Sequence, residues 1–311
     1  MVLFSIAIYF CFAFVTFIVC ETLMTVLIAH LGPSGTYAES AAIACAKSFE
    51  QRTKEDIQLQ PFPSIVQTLR AVAEGKTQFA VVPVENSIEG SVTVTLDTLW
   101  QIDSLRVQQA FVLPISHALI SRAPTIEQVQ VVYSHPQALA QCQRWLEAFL
   151  PTAQLVPINS TTEALKHLND NQTIGAIASQ RAAQLYQQPI LAHPINDHPD
   201  NCTRFWVLSL EPISMGSHTS IAFSLPANVP GALMKPLQIL ANRGINMSRI
   251  ESRPTKRSLG EYLFFVDFEA STDTETVQSA LQALQSCTET LKVYGSYNIT
   301  VLDQNGQLSR A

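Results

Sequence analysis

The sequence predicts an α/β chain with a second, smaller α/β unit behind it. Three observations carry this. From Val26 onward, short apolar runs alternate with segments of helical character, the pattern of a layered α/β domain. At residues 212–219 the pattern gives way to a linker holding Pro212, Gly216 and Ser217. Beyond it the segments run β-α-β-β-α-β, a ferredoxin-like order.

The elements follow in order. Val26 to Leu31 is an apolar strand ending in Gly32-Pro33-Ser34-Gly35, and Thr36 with Glu39 reads as the capping box of the next helix. Gln78 to Val84 is a strand, and Ser91 to Gln101 is helical. Gln108 to Ile120 reads as one long strand. Gln130 to Tyr133 is a short strand, and Pro136 suits the first position of the helix after it. Leu155 to Ile158 precedes a second capping box, Ser160 with Glu163, and Ile174 to Ala178 is a strand. A polar loop, Leu191 to Asn201, leads into the strand Thr203 to Leu210. In the second unit, strands cover Ser220–Leu225, Ile245–Ser252, Glu261–Glu269 and Leu291–Tyr297, with helices over Pro230–Arg243 and Thr274–Cys287. The tail from Asp303 is polar and is expected to be flexible.

Composition narrows the function. The chain has 311 residues, enough for two or three compact units, and 47% are hydrophobic. Net charge is -6 and no Lys- or Arg-rich run occurs, which argues against nucleic acid as a partner. The six cysteines are far apart with no C-x-x-C pair, so they read as free thiols in a reducing compartment, the cytoplasm. The seven histidines show no metal-ligand spacing. No metal and no cofactor are expected.

Residues 1–23 stand apart. Met1 to Cys20 carries no charge and is about the length of a membrane span, yet the first basic residue is Lys47. We expect Met24 to be the true start, with a membrane anchor as the alternative. A membrane is not expected as a partner unless residues 1–20 are retained.

Four polar runs carry the chemistry. Gly32 to Thr36 follows a strand and opens a helix, where glycine lets backbone approach a ligand and free N–H groups attract an anion. Glu85-Asn86-Ser87 ends an apolar strand, the place where α/β sheets bind ligands. Asn86 and Ser87 fit equally well as caps of the next helix. Ser134-His135-Pro136-Gln137 repeats the theme, with Gln141 further along that helix. Adjacent Ser134 and His135 are not a nucleophile-base pair, and His135 reads as a cap. Thr203-Arg204-Phe205 begins a strand, so Thr203 and Phe205 share one face and Arg204 takes the other.

Together these runs, over roughly Thr25 to Leu210, resemble the prephenate dehydratase family. Gly231-Ala232-Leu233, Glu251-Ser252-Arg253-Pro254 and Tyr262 to Asp267 resemble the ACT regulatory domain attached to such enzymes. The resemblance implies two lobes around a cleft, similar to periplasmic binding proteins, over residues 24–211, and an ACT domain over 220–302. It implies conversion of prephenate to phenylpyruvate, water and carbon dioxide in L-phenylalanine biosynthesis. Thr203 and Glu85 would be catalytic, with Thr203 the preferred proton donor to the leaving hydroxyl. Asn86, Ser87, Ser134, Gln141, Phe205, Gly35 and Thr36 would bind substrate, and Arg204 would help receive a carboxylate. L-Phenylalanine would bind Gly231, Ala232, Leu233, Glu251, Ser252, Arg253 and Pro254 at an interface between subunits of a homodimer or homotetramer. The short space before Met24 leads us to expect no fused chorismate mutase unit. The rivals are an arogenate dehydratase, a non-catalytic amino-acid sensor and a membrane-anchored binding protein.

Overall fold

A computed structural model describes residues 25–51, 55–168, 171–303 and 306. The apolar run before Met24 and most of the tail after Asp303 lie outside the described residues. Among the described residues, no helix is long and apolar enough to cross a membrane.

The first lobe begins with β1 (Val26–Leu31), α1 (Tyr37–Glu50), β2 (Ile57–Phe62), α2 (Ile65–Ala73), β3 (Phe79–Asn86), β4 (Gly90–Ser91), α3 (Thr93–Gln101) and β5 (Arg106–Pro114). The chain then crosses to a second lobe, which contains β6 (His117–Ser121), β7 (Val131–Ser134), α4 (Pro136–Ala140), α5 (Gln143–Phe149) and β8 (Gln154–Pro157). That lobe continues with α6 (Thr161–Ala164), β9 (Ile174–Ser179), α7 (Gln180–Leu185) and β10 (Ile190–Ala192). The chain returns to the first lobe as β11 (Cys202–Ser209). The C-terminal unit follows as β12 (His218–Ser224), α8 (Met234–Ala241), β13 (Met247–Pro254), β14 (Tyr262–Phe268), α9 (Glu275–Gln285) and β15 (Thr290–Val301).

Local chemistry explains these boundaries. Thr36 starts α1 by accepting from the Glu39 N–H, and the helix buries Ala38, Ala41, Ala42 and Cys45 against the sheet at helical spacing. The long strand expected over Gln108 to Ile120 is two strands. It breaks at Ile115-Ser116, where the backbone leaves one sheet and enters the other. Similarly, α4 stops at Ala140, so Gln141 caps it rather than continuing it. The helix expected from Pro230 begins only at Met234, because Gly231 sits at φ +81, which a right-handed helix excludes. Strand β2 and helix α2 were not expected. Strand β2 alternates half-buried and exposed residues at the sheet edge, with too few apolar residues to stand out.

Two crossings join the lobes, at residues 115–116 and 193–201, and they are tied together. The Ile115 N–H donates to Asn201 O at 2.8 Å, and Ile195 N–H donates to His117 O at 3.0 Å. The second lobe has its own five-stranded sheet, ordered β10-β6-β9-β7-β8.

The C-terminal unit is fused to the first lobe rather than tethered to it. Its strands run β13-β14-β12-β15, and the same sheet continues as β5-β11-β3-β1-β2. Strand β15 outruns its expected end at Tyr297, and its last residues pair in parallel with β5, Asn298 opposite Gln109 through Val301 opposite Val112. One apolar core spans the join, where Val82, Leu96, Trp206 and Leu208 meet Leu263, Phe265, Tyr294 and Tyr297. The linker is pinned as well: Ser296 N–H donates to Ile213 O, and Ser217 N–H to Asn298 Oδ1.

Candidate active site

The site is built on the β3/β11 strand pair. Thr203 lies opposite Asn86, Arg204 opposite Glu85, and Phe205 opposite Pro83. Val84 has no opposite residue, so β3 is bulged there. Facing residues share a side of the sheet. The bulge therefore brings Pro83 and Asn86 to the same side as Thr203 and Phe205. These residues line a cleft of about 250 Å³ between the lobes, with Thr36 and Tyr37 from the first lobe and His117, His135, Gln141 and Asn159 to Thr161 from the second.

Asn86 is held in one orientation. Its Oδ1 accepts from the Ile88 and Glu89 N–H groups, both at 3.0 Å. Its Nδ2 therefore faces inward and donates to Thr203 Oγ1 at 2.9 Å and Asn201 Oδ1 at 2.8 Å. Thr203 Oγ1 is thereby an acceptor from Asn86. Among the described residues nothing takes its own proton, which remains free for a group in the cleft. Gln141 Oε1 accepts from Asn201 Nδ2 at 2.9 Å and lies 3.0 Å from His117 Nε2. His117 is buried, which lowers its pKa, while its hydrogen bond to Gln141 works in the other direction. It is neutral near pH 7. Tyr37 extends the contacts from α1, donating to Ser116 O at 2.6 Å, with its ring set edge-on to His117.

The structure brings Thr203, Asn86, Phe205, Thr36 and Gln141 together. It does not bring the other expected residues to the cleft. Glu85 and Arg204 occupy the opposite face of the strand pair, paired at 3.4 Å, and Arg204 also reaches Asp267 of β14 at 3.2 Å. Ser134 is fully buried and donates to Ile177 O at 2.7 Å, joining β7 to β9. Ser87 is a turn lock: its Oγ accepts from the Cys202 N–H at 3.0 Å. Gly35 spends its N–H on Glu39 Oε2 at 2.8 Å, so it offers no donor to an anion. Its φ of +90 and its approach to Thr162 and Ala182 explain why glycine stands there.

Sequence reasoning missed His117, Asn201, Tyr37 and Asn159 to Thr161. His117 sits inside a hydrophobic run and Asn201 in a polar loop. Only the two crossings bring them to Gln141.

In the C-terminal unit, Gly231 to Leu233 form the turn before α8. Glu251 and Arg253 point at the first lobe. The Ser91 hydroxyl donates to Glu251 Oε2 at 3.2 Å, and Arg253 makes two hydrogen bonds to Asp97, at 3.0 and 3.2 Å. Ser252 and Pro254 are exposed on the other side. A pocket of about 310 Å³ lies at this end of the unit, lined by Asn228, Thr255, Arg257, Glu261 and Tyr262 among others.

Fold and site define a two-lobed α/β enzyme with a regulatory-type βαββαβ unit built onto one lobe. The family model for prephenate dehydratase matches residues 28–213, and that for the ACT domain matches residues 219–285. The chain belongs to the prephenate dehydratase family. It is 39% identical over 280 residues to a bifunctional chorismate mutase/prephenate dehydratase of Aquifex aeolicus, a match covering 89% of this chain and 75% of that protein. It is 35% identical over 285 residues to a prephenate dehydratase of Lactococcus lactis subsp. cremoris, covering 89% and 99% of the two. The crystal structure of a prephenate dehydratase from Arthrobacter aurescens in complex with L-Phe superposes with a TM-score of 0.78, at 33% identity and over 92% of each chain.

Proposed function

We propose that this chain converts prephenate to phenylpyruvate, water and carbon dioxide, with Thr203 as proton donor to the leaving hydroxyl. The observation that carries the reading is the Asn86–Thr203 pair. Donation from the amide to Oγ1 strengthens the hydroxyl as a donor and leaves its proton for the substrate. The electrons of the breaking bond to the carboxyl group move into the ring as the C4 hydroxyl departs. Aromaticity is gained, one proton is consumed, and carbon dioxide and water leave. Positioned acid catalysis supplies about 10²–10⁴-fold, and orientation in the cleft adds to it. Glu85 has no part in this scheme, because it faces away and pairs with Arg204.

Among the described residues lining the cleft there is no Asp, Glu, Lys or Arg. The substrate's carboxylates would rest on neutral donors: Thr36, Ser160, Thr161, Gln137 and the first N–H groups of α1. An ammonium group would find no anionic partner, which favours prephenate over arogenate and a keto acid over an amino acid in this cleft.

L-Phenylalanine as effector of the C-terminal unit is supported by the Arthrobacter relative, which is in complex with L-Phe. Strand β13 is the outermost strand of its sheet and half-exposes Ile250, and Tyr262 is exposed at the far end of the neighbouring strand β14, which suits a second copy in a homodimer or homotetramer. Cys142, Cys202 and Cys287 are free thiols, which suits the cytoplasm. The test is phenylpyruvate formation from prephenate and from arogenate, each with and without L-phenylalanine. A kcat/KM higher for arogenate would reverse the substrate assignment. A rate unmoved by saturating L-phenylalanine would remove the effector.

A further inference from the structure

We propose that Asn201 is a positioning residue for the reaction, linking the second lobe to the Asn86–Thr203 pair. The proposal rests on the reading of Thr203 as proton donor. Asn201 is 1% exposed and sits at the end of the second crossing, where neither lobe's regular structure fixes it. Its Oδ1 accepts from Asn86 Nδ2 at 2.8 Å in the first lobe. Its Nδ2 donates to Gln141 Oε1 at 2.9 Å in the second. Its backbone carbonyl accepts from the Ile115 N–H at the first crossing. One side chain therefore ties both lobes to the same hydrogen-bond chain.

The direction of that chain matters. Asn201 Nδ2 needs an acceptor, and Gln141 Oε1 supplies it. Asn201 Oδ1 is then turned toward Asn86, where it helps hold the amide N–H₂ against Thr203 Oγ1. If the Asn201 side chain is lost, Asn86 keeps its Ile88 and Glu89 partners and its longer donation to Cys202 O at 3.1 Å, but loses the shortest acceptor that steadies the amide from the side. Gln141 also loses a donor, so the second lobe's direct tie to the Asn86–Thr203 pair is cut, while Arg181–Glu39 and Ser179–Gly35 still hold the lobes together. The substrate-binding donors Thr36, Ser160 and Thr161 remain in place.

The test is a double-mutant cycle between Asn201→Ala and Thr203→Ala in the full chain, with kcat and KM for prephenate measured separately. Asn201→Ala should lower kcat about 10- to 100-fold, the loss expected when a buried hydrogen-bond partner is removed, with KM within about threefold. Adding Asn201→Ala to Thr203→Ala should cost almost nothing more, because its effect passes through Thr203. A residue that merely supports the fold would lower the melting temperature and slow both backgrounds equally. If Asn201→Ala does not fold, Asn201→Asp serves in its place: it has the same shape, keeps the acceptor for Asn86 and loses the donor to Gln141. Additive losses, or a change confined to KM, would overturn the proposal. If Thr203→Ala alone leaves kcat intact, the assignment of Thr203 has failed and Asn201 falls with it, an outcome the single variant reports separately.

Discussion

Arg204 Nη1 donates to Asp267 Oδ2 at 3.2 Å, so the residue next to Thr203 in the sequence belongs to the contact with the C-terminal unit and not to the cleft. Strand alternation forces this division. Thr203 and Arg204 cannot face the same side, and the bulge at Val84 keeps Glu85 with Arg204. The variant Arg204→Gln should therefore leave KM for prephenate within about threefold. A lost charge-assisted bond to a substrate carboxylate would raise it by about tenfold or more. A KM rise of that size would return Arg204 to the substrate.

Asp267 is the node of the contact. It is 1% exposed, and it also accepts from Arg249 Nε at 2.8 Å and Ser220 Oγ at 2.6 Å. Replacing it by Asn leaves Arg249 buried without its counter-charge. Breaking a buried pair from one side typically costs about 3–5 kcal/mol. Asp267→Asn should lower the urea midpoint of the whole protein, since lobe and unit share one core. A transition that splits in two would show that they unfold separately.

At the cleft, Thr203→Ala should lower kcat by about 10²–10⁴-fold, and Thr203→Ser should retain much of it by keeping the hydroxyl. Glu85→Gln should stay within a few-fold of the parent, since its carboxylate faces Arg204. Steady-state rates for the three variants decide the roles. A Glu85→Gln loss matching that of Thr203→Ala would restore the carboxylate to the mechanism.

The fold was largely legible because periodicity and turn residues are local. Thr36 with Glu39 and Pro136 marked helix starts where the structure has them. Alternation along β11 separated Thr203 from Arg204 correctly. The partners across space were not legible. Asn201 and His117 join through two crossings whose meeting point no window of sequence contains. The depth of Ser134 depends on β9, a strand reached only some forty residues later. The bulge at Val84 is marked only by Pro83, a residue that a central strand tolerates at a bulge, yet it decides which of Pro83, Glu85 and Asn86 faces the cleft.

The linker offers a stability prediction. A Cβ added to Gly216 would lie 2.4–2.6 Å from the backbone of Tyr297, too close for any rotamer change to relieve. Gly216→Ala must push the linker off β15 and lose the Gly216 N–H bond to Ser271 Oγ. The expected cost is about 1–3 kcal/mol, visible as a lower melting temperature. An unchanged melting temperature would mean that the linker is not held against β15.

The last prediction concerns pH. Burial lowers the pKa of both His117 and His30 from the ordinary value of 6.5, with weaker hydrogen-bond and charge effects opposing it. Between its folded and unfolded values, each histidine binds more protons when unfolded, so stability must rise with pH there. Their contribution is complete above about pH 6.5 and is lost as pH falls from there toward the folded values. Glu39 acts lower. Burial works to raise its pKa, but the Gly35 N–H and Arg181 hold it below the ordinary 4.5, so its contribution disappears only at more acid pH. The melting temperature should therefore fall between about pH 6.5 and 5 before the carboxylates titrate. His117→Gln, which cannot take up the proton, should flatten part of that fall. If the slope is the same in His117→Gln, the loss comes from other groups and His117 is not held neutral by the fold.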